Sequence, residues 1–311
     1  MNKKSNTLVI FVALVCAVSM SSCNVNGDIE DDRAVRFTAG IDQVDTPQAS
    51  SGTRAASTNW SAGDAIGIFM VDHTSGDVEM NAANKQYTTL AGGSNFTAVV
   101  GNEIYYPQTG KVDFIAYYPW KIGYTLGTAI DVEIGGQTAQ STFDLLWAKA
   151  DNSGSGYDKV THATSPVALE FEHKLAKLVM NCIGDPSVGT LPANMTVSIT
   201  GMNTKNTFDL ATGSLGNSPG TPAAITPLKI ATEATFDASY DAIIMPGTYG
   251  ADDIKVTFTV NGDVFTWNVP VINFIGGLEY TYDITVTRTG VKFTGTINPW
   301  NPVPGDPGIA E

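Results

Sequence analysis

Three cysteines, three histidines and one run of alternating acidic and hydroxyl residues are the places where this sequence could do chemistry. His73, His162 and His173 stand at no spacing that suits a shared metal ion or a catalytic triad. His173 lies between Glu172 and Lys174 in an alternating stretch and is expected to be structural. Cys182 follows apolar residues 178–180 with no histidine near it, the pattern of a buried thiol. Asp151-x-Ser153-x-Ser155-Gly156 has the alternating oxygens and the glycine of a calcium loop. The twelfth place, where such a loop needs a bidentate acid, is His162, so calcium is not expected. No Gly-rich phosphate loop opens a helix, and no paired carboxylates or activated nucleophile stand out. The residues predict a protein that is not an enzyme and takes no cofactor or metal.

Aromatic residues offer a different chemistry. Trp120, Tyr124, Trp147 and Trp300 could together stack against sugar rings, as in a monomeric surface lipoprotein that binds glycan. Trp147, inside Leu145-Leu146-Trp147-Ala148, reads as core, whereas Trp120 follows Pro119 in a loop and reads as exposed.

Cys23 has chemistry of another kind. Lys3 and Lys4 make a positive start, and residues 8–18 are an unbroken apolar run. That run is shorter than the roughly 20 residues that span a bilayer and matches the apolar stretch of a signal peptide. Met20-Ser21-Ser22-Cys23 then resembles a bacterial lipobox, in which the cysteine receives lipid, palmitate included, and becomes the new N-terminus; Met20 stands where leucine is commoner. Residues 1–22 are therefore expected to be a signal peptide and Cys23 the lipidation site. Residues 23–34, with Asp28, Glu30, Asp31 and Asp32, read as an acidic tether whose like charges keep it extended, and resemble a surface-export signal. Loss of residues 1–22 removes two lysines and no acid, taking the formal charge from −14 to −16. Such a surface repels phosphate, so nucleic acid is not an expected partner. Cys16 leaves with the signal and Cys23 carries lipid, so Cys182 has no partner for an intrachain disulfide.

The chain that must position these residues is written in strands. Alternation with period 2 runs through residues 35–41, 65–71, 112–118, 195–199, 254–260, 264–269 and 280–286. Asn261-Gly262 between two of them suits a tight hairpin. Loops at 135–141, 151–157 and 213–221 are rich in Gly, Ser and Pro and read as surface excursions. At 311 residues, 43% hydrophobic and 15% charged, the chain has room for two domains. The expected division is an N-terminal β-sandwich over 35–172 and a C-terminal one over 173–311.

Several segments together resemble the fimbrillin family, the subunits of type V pili of Bacteroidales. They are Val35-Arg36-Phe37-Thr38-Ala39-Gly40-Ile41, Thr53-Arg54-Ala55, Trp60-Ser61-Ala62-Gly63-Asp64, Tyr105-Tyr106-Pro107, Val112-Asp113-Phe114-Ile115-Ala116-Tyr117-Tyr118-Pro119, Phe171-Glu172-His173-Lys174-Leu175 and Ile297-Asn298-Pro299-Trp300. The resemblance implies an all-β fold of two tandem transthyretin-like β-sandwiches. It implies export as a lipoprotein to the outer membrane, and partners that are other pilus subunits and a trypsin-like, Arg-specific protease. Cutting in the loop after the first strand and polymerisation by donor-strand exchange complete the implied pathway, with a glycan or protein of another surface as target.

The residues fit that pathway. Arg54-Ala55 lies in 49–59, a stretch of small polar residues of the kind proteases nick, whereas Arg33 and Arg36 lie before or within the strand. Val35, Phe37, Ala39 and Ile41 share one face of the strand that a cut after Arg54 would free, making 35–54 a removable strand and loop. Val291-Lys292-Phe293-Thr294-Gly295-Thr296-Ile297 repeats that strand's pattern, so Val291, Phe293, Gly295 and Ile297 could fill the same pockets from a neighbouring subunit. The competing expectation is that 291–297 completes its own C-terminal domain.

Overall fold

Period-2 alternation builds strands here, and long-range pairing sorts them into sheets. The structure, a computed structural model, describes residues 33–41, 59–90, 92–216 and 222–300. Seven strands form the first sheet, in the order β1 (Phe37–Ile41), β4 (Asn95–Ala98), β3 (Lys85–Thr88), β2 (Ala65–Asp72), β5 (Val112–Tyr118), β7 (Leu146–Ala150) and β8 (Val167–His173). The sheet closes on itself at β1, which pairs antiparallel with β4 and parallel with β8, from Phe37↔Val167 to Ile41↔Phe171. Its interior is the first core, with Phe37, Ile66, Met70, Phe114, Leu169 and Phe171 among its members.

A second core is enclosed by two further sheets. One runs β13 (Leu228–Ile230), β14 (Ala238–Ile244), β9 (Ala176–Gly184), β19 (Leu278–Thr287) and β20 (Gly290–Pro299); the other runs β10 (Thr196–Thr200), β16 (Lys255–Val260) and β17 (Asp263–Asn268). Met180, Ile284, Val256 and Phe258 meet in this core. Two small sheets complete the arrangement, β12 (Ser214–Leu215) with β11 (Lys205–Asp209) and β6 (Ile130–Glu133), and β15 (Gly247–Tyr249) with β18 (Ile272–Phe274). The fold is all-β, as the sequence predicts. Among the described residues the helical elements are one turn, α1 (Lys159–His162), and a 3-10 segment, Gln137–Thr142.

The two cores share a wall. Ile66, Ile68 and Met70 of β2 point into the first core, while Phe69 and Val71 belong to the second. In β5 the same division separates Phe114 and Ala116 from Ile115 and Tyr117. A strand buried on both faces has no polar side to show, which is why β2 reads Ala-Ile-Gly-Ile-Phe-Met-Val. The expected division at 172/173 falls at the end of β8, and β6, which precedes it in sequence, pairs with β11, which follows it.

Two loops illustrate what local sequence can and cannot say. Asn261 and Gly262 take positive φ (51° and 95°) and close the β16–β17 hairpin, as their types dictate. In residues 135–141, expected as a surface excursion, Gly135, Gly136, Thr138 and Ala139 are exposed, but Gln137 and Gln140 turn inward. The Gln137 amide donates to the carbonyls of Ile134 (2.7 Å) and Ile243 (2.9 Å), and Gln140 donates to Asp241 Oδ1 at 2.9 Å. Both amides find partners across more than 100 residues of sequence, which composition alone cannot foresee.

Candidate functional site

The first strand is held from every side. Alternation places Val35, Phe37, Ala39 and Ile41 inward, and all four are buried, Phe37 to 2% exposure. Phe37 meets the rings of Tyr87 and Phe114 edge-on, each at 5.1 Å. Trp60 donates its indole N–H to the Ala39 carbonyl at 2.8 Å and packs edge-on against Phe96, Tyr118 and Phe171. Main-chain bonds flank the strand on both edges, from Ala39 N to the Ser94 carbonyl (2.8 Å) and from Val167 N to the Arg36 carbonyl (2.8 Å). Burial of Val35, Phe37 and Ile41 stabilises the molecule by about 1.5–3 kcal/mol each. Their sum rivals the ~5–15 kcal/mol net stability of a whole domain.

The segment that echoes β1 lies at the far end of the chain, on an outer edge. β20 pairs with β19 along its whole length, from Leu278↔Pro299 to Thr287↔Gly290. In this monomer 291–297 therefore completes its own sheet, the competing expectation from the sequence. Val291, Phe293, Gly295 and Ile297 stand opposite Val286, Ile284, Tyr282 and Tyr280, hence on the same face as those buried side chains. Being outermost, they are only half covered, and Phe293 remains 40% exposed. Its ring rests on Trp267 at 4.8 Å and near Tyr282 at 6.1 Å. Gly295 makes room for Tyr282, whose ring carbon would lie 2.5 Å from an added Cβ.

Just beyond β20 the chain is anchored by an unusual cluster. Trp300 is buried to 3% and stacks on His173, ring centroids 3.9 Å apart and planes 9° from parallel. His173 Nδ1 lies 3.0 Å from Asp144 Oδ1, both side chains buried. Trp300 N donates to the Gly277 carbonyl at 2.8 Å. Among the described residues, Trp300 Nε1, His173 Nε2 and Asp144 Oδ2 make no hydrogen bond. Sequence spacing missed this pair, and also the His73–Asp113 contact of 2.8 Å, because the partners lie 29 and 40 residues apart.

The other expected features are not brought together. Trp300 is buried, and the Trp147 indole donates to the Leu210 carbonyl (2.8 Å) with Lys174 over its ring at 4.9 Å. The four aromatic residues therefore form no common sugar platform; Trp120 and Tyr124 keep part of their surface open. Asp151 engages Lys149 at 3.7 Å and Gly154 N at 3.1 Å, and the described residues hold no cluster fit for a metal ion. Burial pushes the Cys182 thiol up to about 12, aided by the charge of Asp237, which leaves it unreactive at neutral pH. Cys23, Arg54 and Ala55 lie outside the described residues.

An all-β body with a clasped first strand and a half-covered last one is the architecture that these residues define. The profile of the fimbrillin-like family matches residues 53–300, and the chain belongs to that family. It is 32% identical to the candidate fimbrium subunit Fim1C of Bacteroides uniformis, over 94% of this chain and 95% of that one. A solved structure of a candidate cell adhesion protein from Bacteroides uniformis is 30% identical, with a TM-score of 0.69 over 87% of this chain and 99% of the other. A second, from Bacteroides ovatus, shares the fold at 23% identity with a TM-score of 0.67, covering 88% and 99%.

Proposed function

We propose that this chain is a structural and adhesive subunit of a cell-surface fimbria that assembles by donor-strand exchange. Cys23 carries the lipid that holds the precursor at the outer membrane. A trypsin-like protease cuts between Arg54 and Ala55, the strand bearing Val35, Phe37, Ala39 and Ile41 departs, and a strand from the next subunit takes its place. Val291, Phe293, Gly295 and Ile297 are the donor set. The division into domains 35–172 and 173–311 belongs to the same reading, one domain receiving a strand and the other supplying it.

The observation that carries the proposal is the contrast between two strands of like sequence. β1 is hydrogen-bonded on both edges and buries its whole inward face, so its loss opens a groove that demands a strand. β20 pairs on one edge and leaves Phe293 and Ile297 more than a third exposed, so it gives up less on leaving. Strand addition satisfies backbone groups and pockets together.

The test is limited trypsin treatment of the folded precursor, read by N-terminal sequencing and size-exclusion chromatography. The expected product begins at Ala55 and elutes as multimers. A body that begins at Ala55, has lost residues 35–41 and stays monomeric at high concentration would overturn the exchange mechanism. Cys23→Ala is expected to abolish fatty-acid labelling; labelling that persists removes the lipoprotein step.

A further inference from the structure

After β5 the chain turns through Pro119–Tyr124 before it reaches β6, and two depressions flank that turn. The larger, about 320 Å³, is lined by all four residues of β6 together with Tyr117, Tyr124 and Phe143. The smaller, about 250 Å³, is lined by Trp120 and Asp64. Pro119, Lys121 and Thr142 line both, so the two are lobes of one cleft.

The rings in this cleft are fixed from behind. The Tyr117 hydroxyl donates to Asn84 Oδ1 (2.7 Å) and lies 3.0 Å from the Lys121 carbonyl, and its ring lies 5.6 Å from that of Tyr124. Trp120 donates its indole N–H to the Asn84 carbonyl at 3.3 Å. Trp120, Tyr124 and Phe143 are each half-buried, which holds them in place and leaves part of each ring open. The polar groups sit at the rim. Lys121 donates its main-chain N–H to the Tyr117 hydroxyl at 3.1 Å, its carbonyl accepts from the Asn84 amide at 2.9 Å, and its side chain is exposed. Asp131 is exposed on the outer face of β6 and lies near enough to Tyr124 to add, after burial, to the rise of that phenol's pKa. The Thr142 hydroxyl donates to the Ala139 carbonyl at 2.7 Å and keeps its lone pairs for an incoming donor. Among the described residues β6 is the outer strand of its sheet, so main-chain groups on its other edge add donors and acceptors to the wall.

An apolar face ringed by donors and acceptors is the complement of a pyranose, which has a C–H face and a rim of hydroxyls. Two lobes, each with an aromatic wall and meeting at Lys121 and Thr142, match two linked rings. The Asp131 carboxylate accepts hydroxyl hydrogens and repels an acidic sugar. A peptide strand is the poorer fit, because β6 offers an edge of only four residues. We infer that this cleft binds a neutral disaccharide unit of a surface glycan, with Trp120 against one ring and Tyr124 and Phe143 against the other. The inference rests on the adhesive part of the proposed function and needs neither cleavage nor polymerisation.

The test uses the purified, uncleaved chain and saturation-transfer NMR. The probes are lactose, maltose, cellobiose and diacetylchitobiose, with 3′-sialyllactose and the pentapeptide Val-Thr-Val-Thr-Val for comparison. At least one neutral disaccharide is expected to receive saturation from aromatic protons on both rings. Tyr124→Ala and Lys121→Ala are each expected to weaken it about tenfold, the equivalent of ~1.4 kcal/mol, while Tyr124→Phe retains it. Lys121 is exposed, so its substitution leaves the melting temperature unchanged and separates lost binding from lost folding. The inference is overturned if no neutral disaccharide binds at about 10 mM, roughly ten times the Kd of a ligand held by about 4.1 kcal/mol. It is equally overturned if binding survives both alanine substitutions, or if only the acidic sugar or the peptide binds. Because the chain is uncleaved, a negative result here leaves assembly standing, and a failure of assembly leaves a positive result here intact.

Discussion

Trp300 closes the last strand against His173, and its burial makes it a structural anchor despite its place beside a Pro-rich tail. Trp300→Ala should cost about 3–5 kcal/mol, the range for truncating a buried aromatic. A loss below ~1 kcal/mol in chemical denaturation would mean that the stacked ring is dispensable. Asp241 makes a pH-dependent counterpart. Burial raises its pKa above 3.8, opposed by the charge of Lys177 and the hydrogen bond from Gln140. A carboxyl whose folded pKa is raised binds more protons in the folded state, so its contribution to stability falls as pH climbs through the window above 3.8. Asp241→Asn keeps an acceptor for Gln140 and should remove that slope, making the variant relatively more stable at pH 7 than at pH 4. Melting curves at the two pH values check it; an unchanged pH slope would refute the assignment.

At the scale of elements, two phenylalanines of matching sequence context should behave differently. Phe37 is enclosed by β4, β8 and two rings, and Phe37→Ala should cost about 3–5 kcal/mol. Phe293 is 40% exposed on an outer strand, and Phe293→Ala should cost no more than ~1.5 kcal/mol of monomer stability. Under the proposed exchange the second variant should nonetheless polymerise poorly after cleavage, since its ring then fills the Phe37 pocket. Equal losses at the two positions would show that β20 is as firmly set as β1. Gly295→Val tests the same edge from the other side. Its side chain must displace the Tyr282 ring, already 4.8 Å from Trp267, at a cost of about 1–3 kcal/mol.

At the scale of the whole molecule, β2 and β5 bind the two cores into one cooperative body. Phe69 and Ile68 are neighbours in sequence and belong to different cores. The described body, which lies within a single compact unit from Asp32 to Glu311, should unfold in one calorimetric transition. Phe69→Ala should lower that transition as a whole. Two separated transitions, with only the later one shifted, would show that the cores melt independently.

Strand positions were legible in the sequence because period 2 is a local property of a pleated chain. So were the Asn261-Gly262 turn, which φ preference decides within two residues, and the inward set Val35, Phe37, Ala39 and Ile41. The family resemblance was legible for the same reason, being carried by short ordered segments, most of which lie within residues 53–300, the part of this chain that matches the family profile. Tertiary structure alone decided which edges those strands share. Val35–Ile41 and Val291–Ile297 read alike, yet one is enclosed between β4 and β8 and the other lies outermost on β19. It also decided that Gln137 and Gln140 face inward, that His173 meets Asp144 and Trp300, and that two depressions meet at Lys121. Burial and pairing are properties of what the rest of the chain brings alongside, and a segment's own residues do not specify their neighbours across a hundred positions.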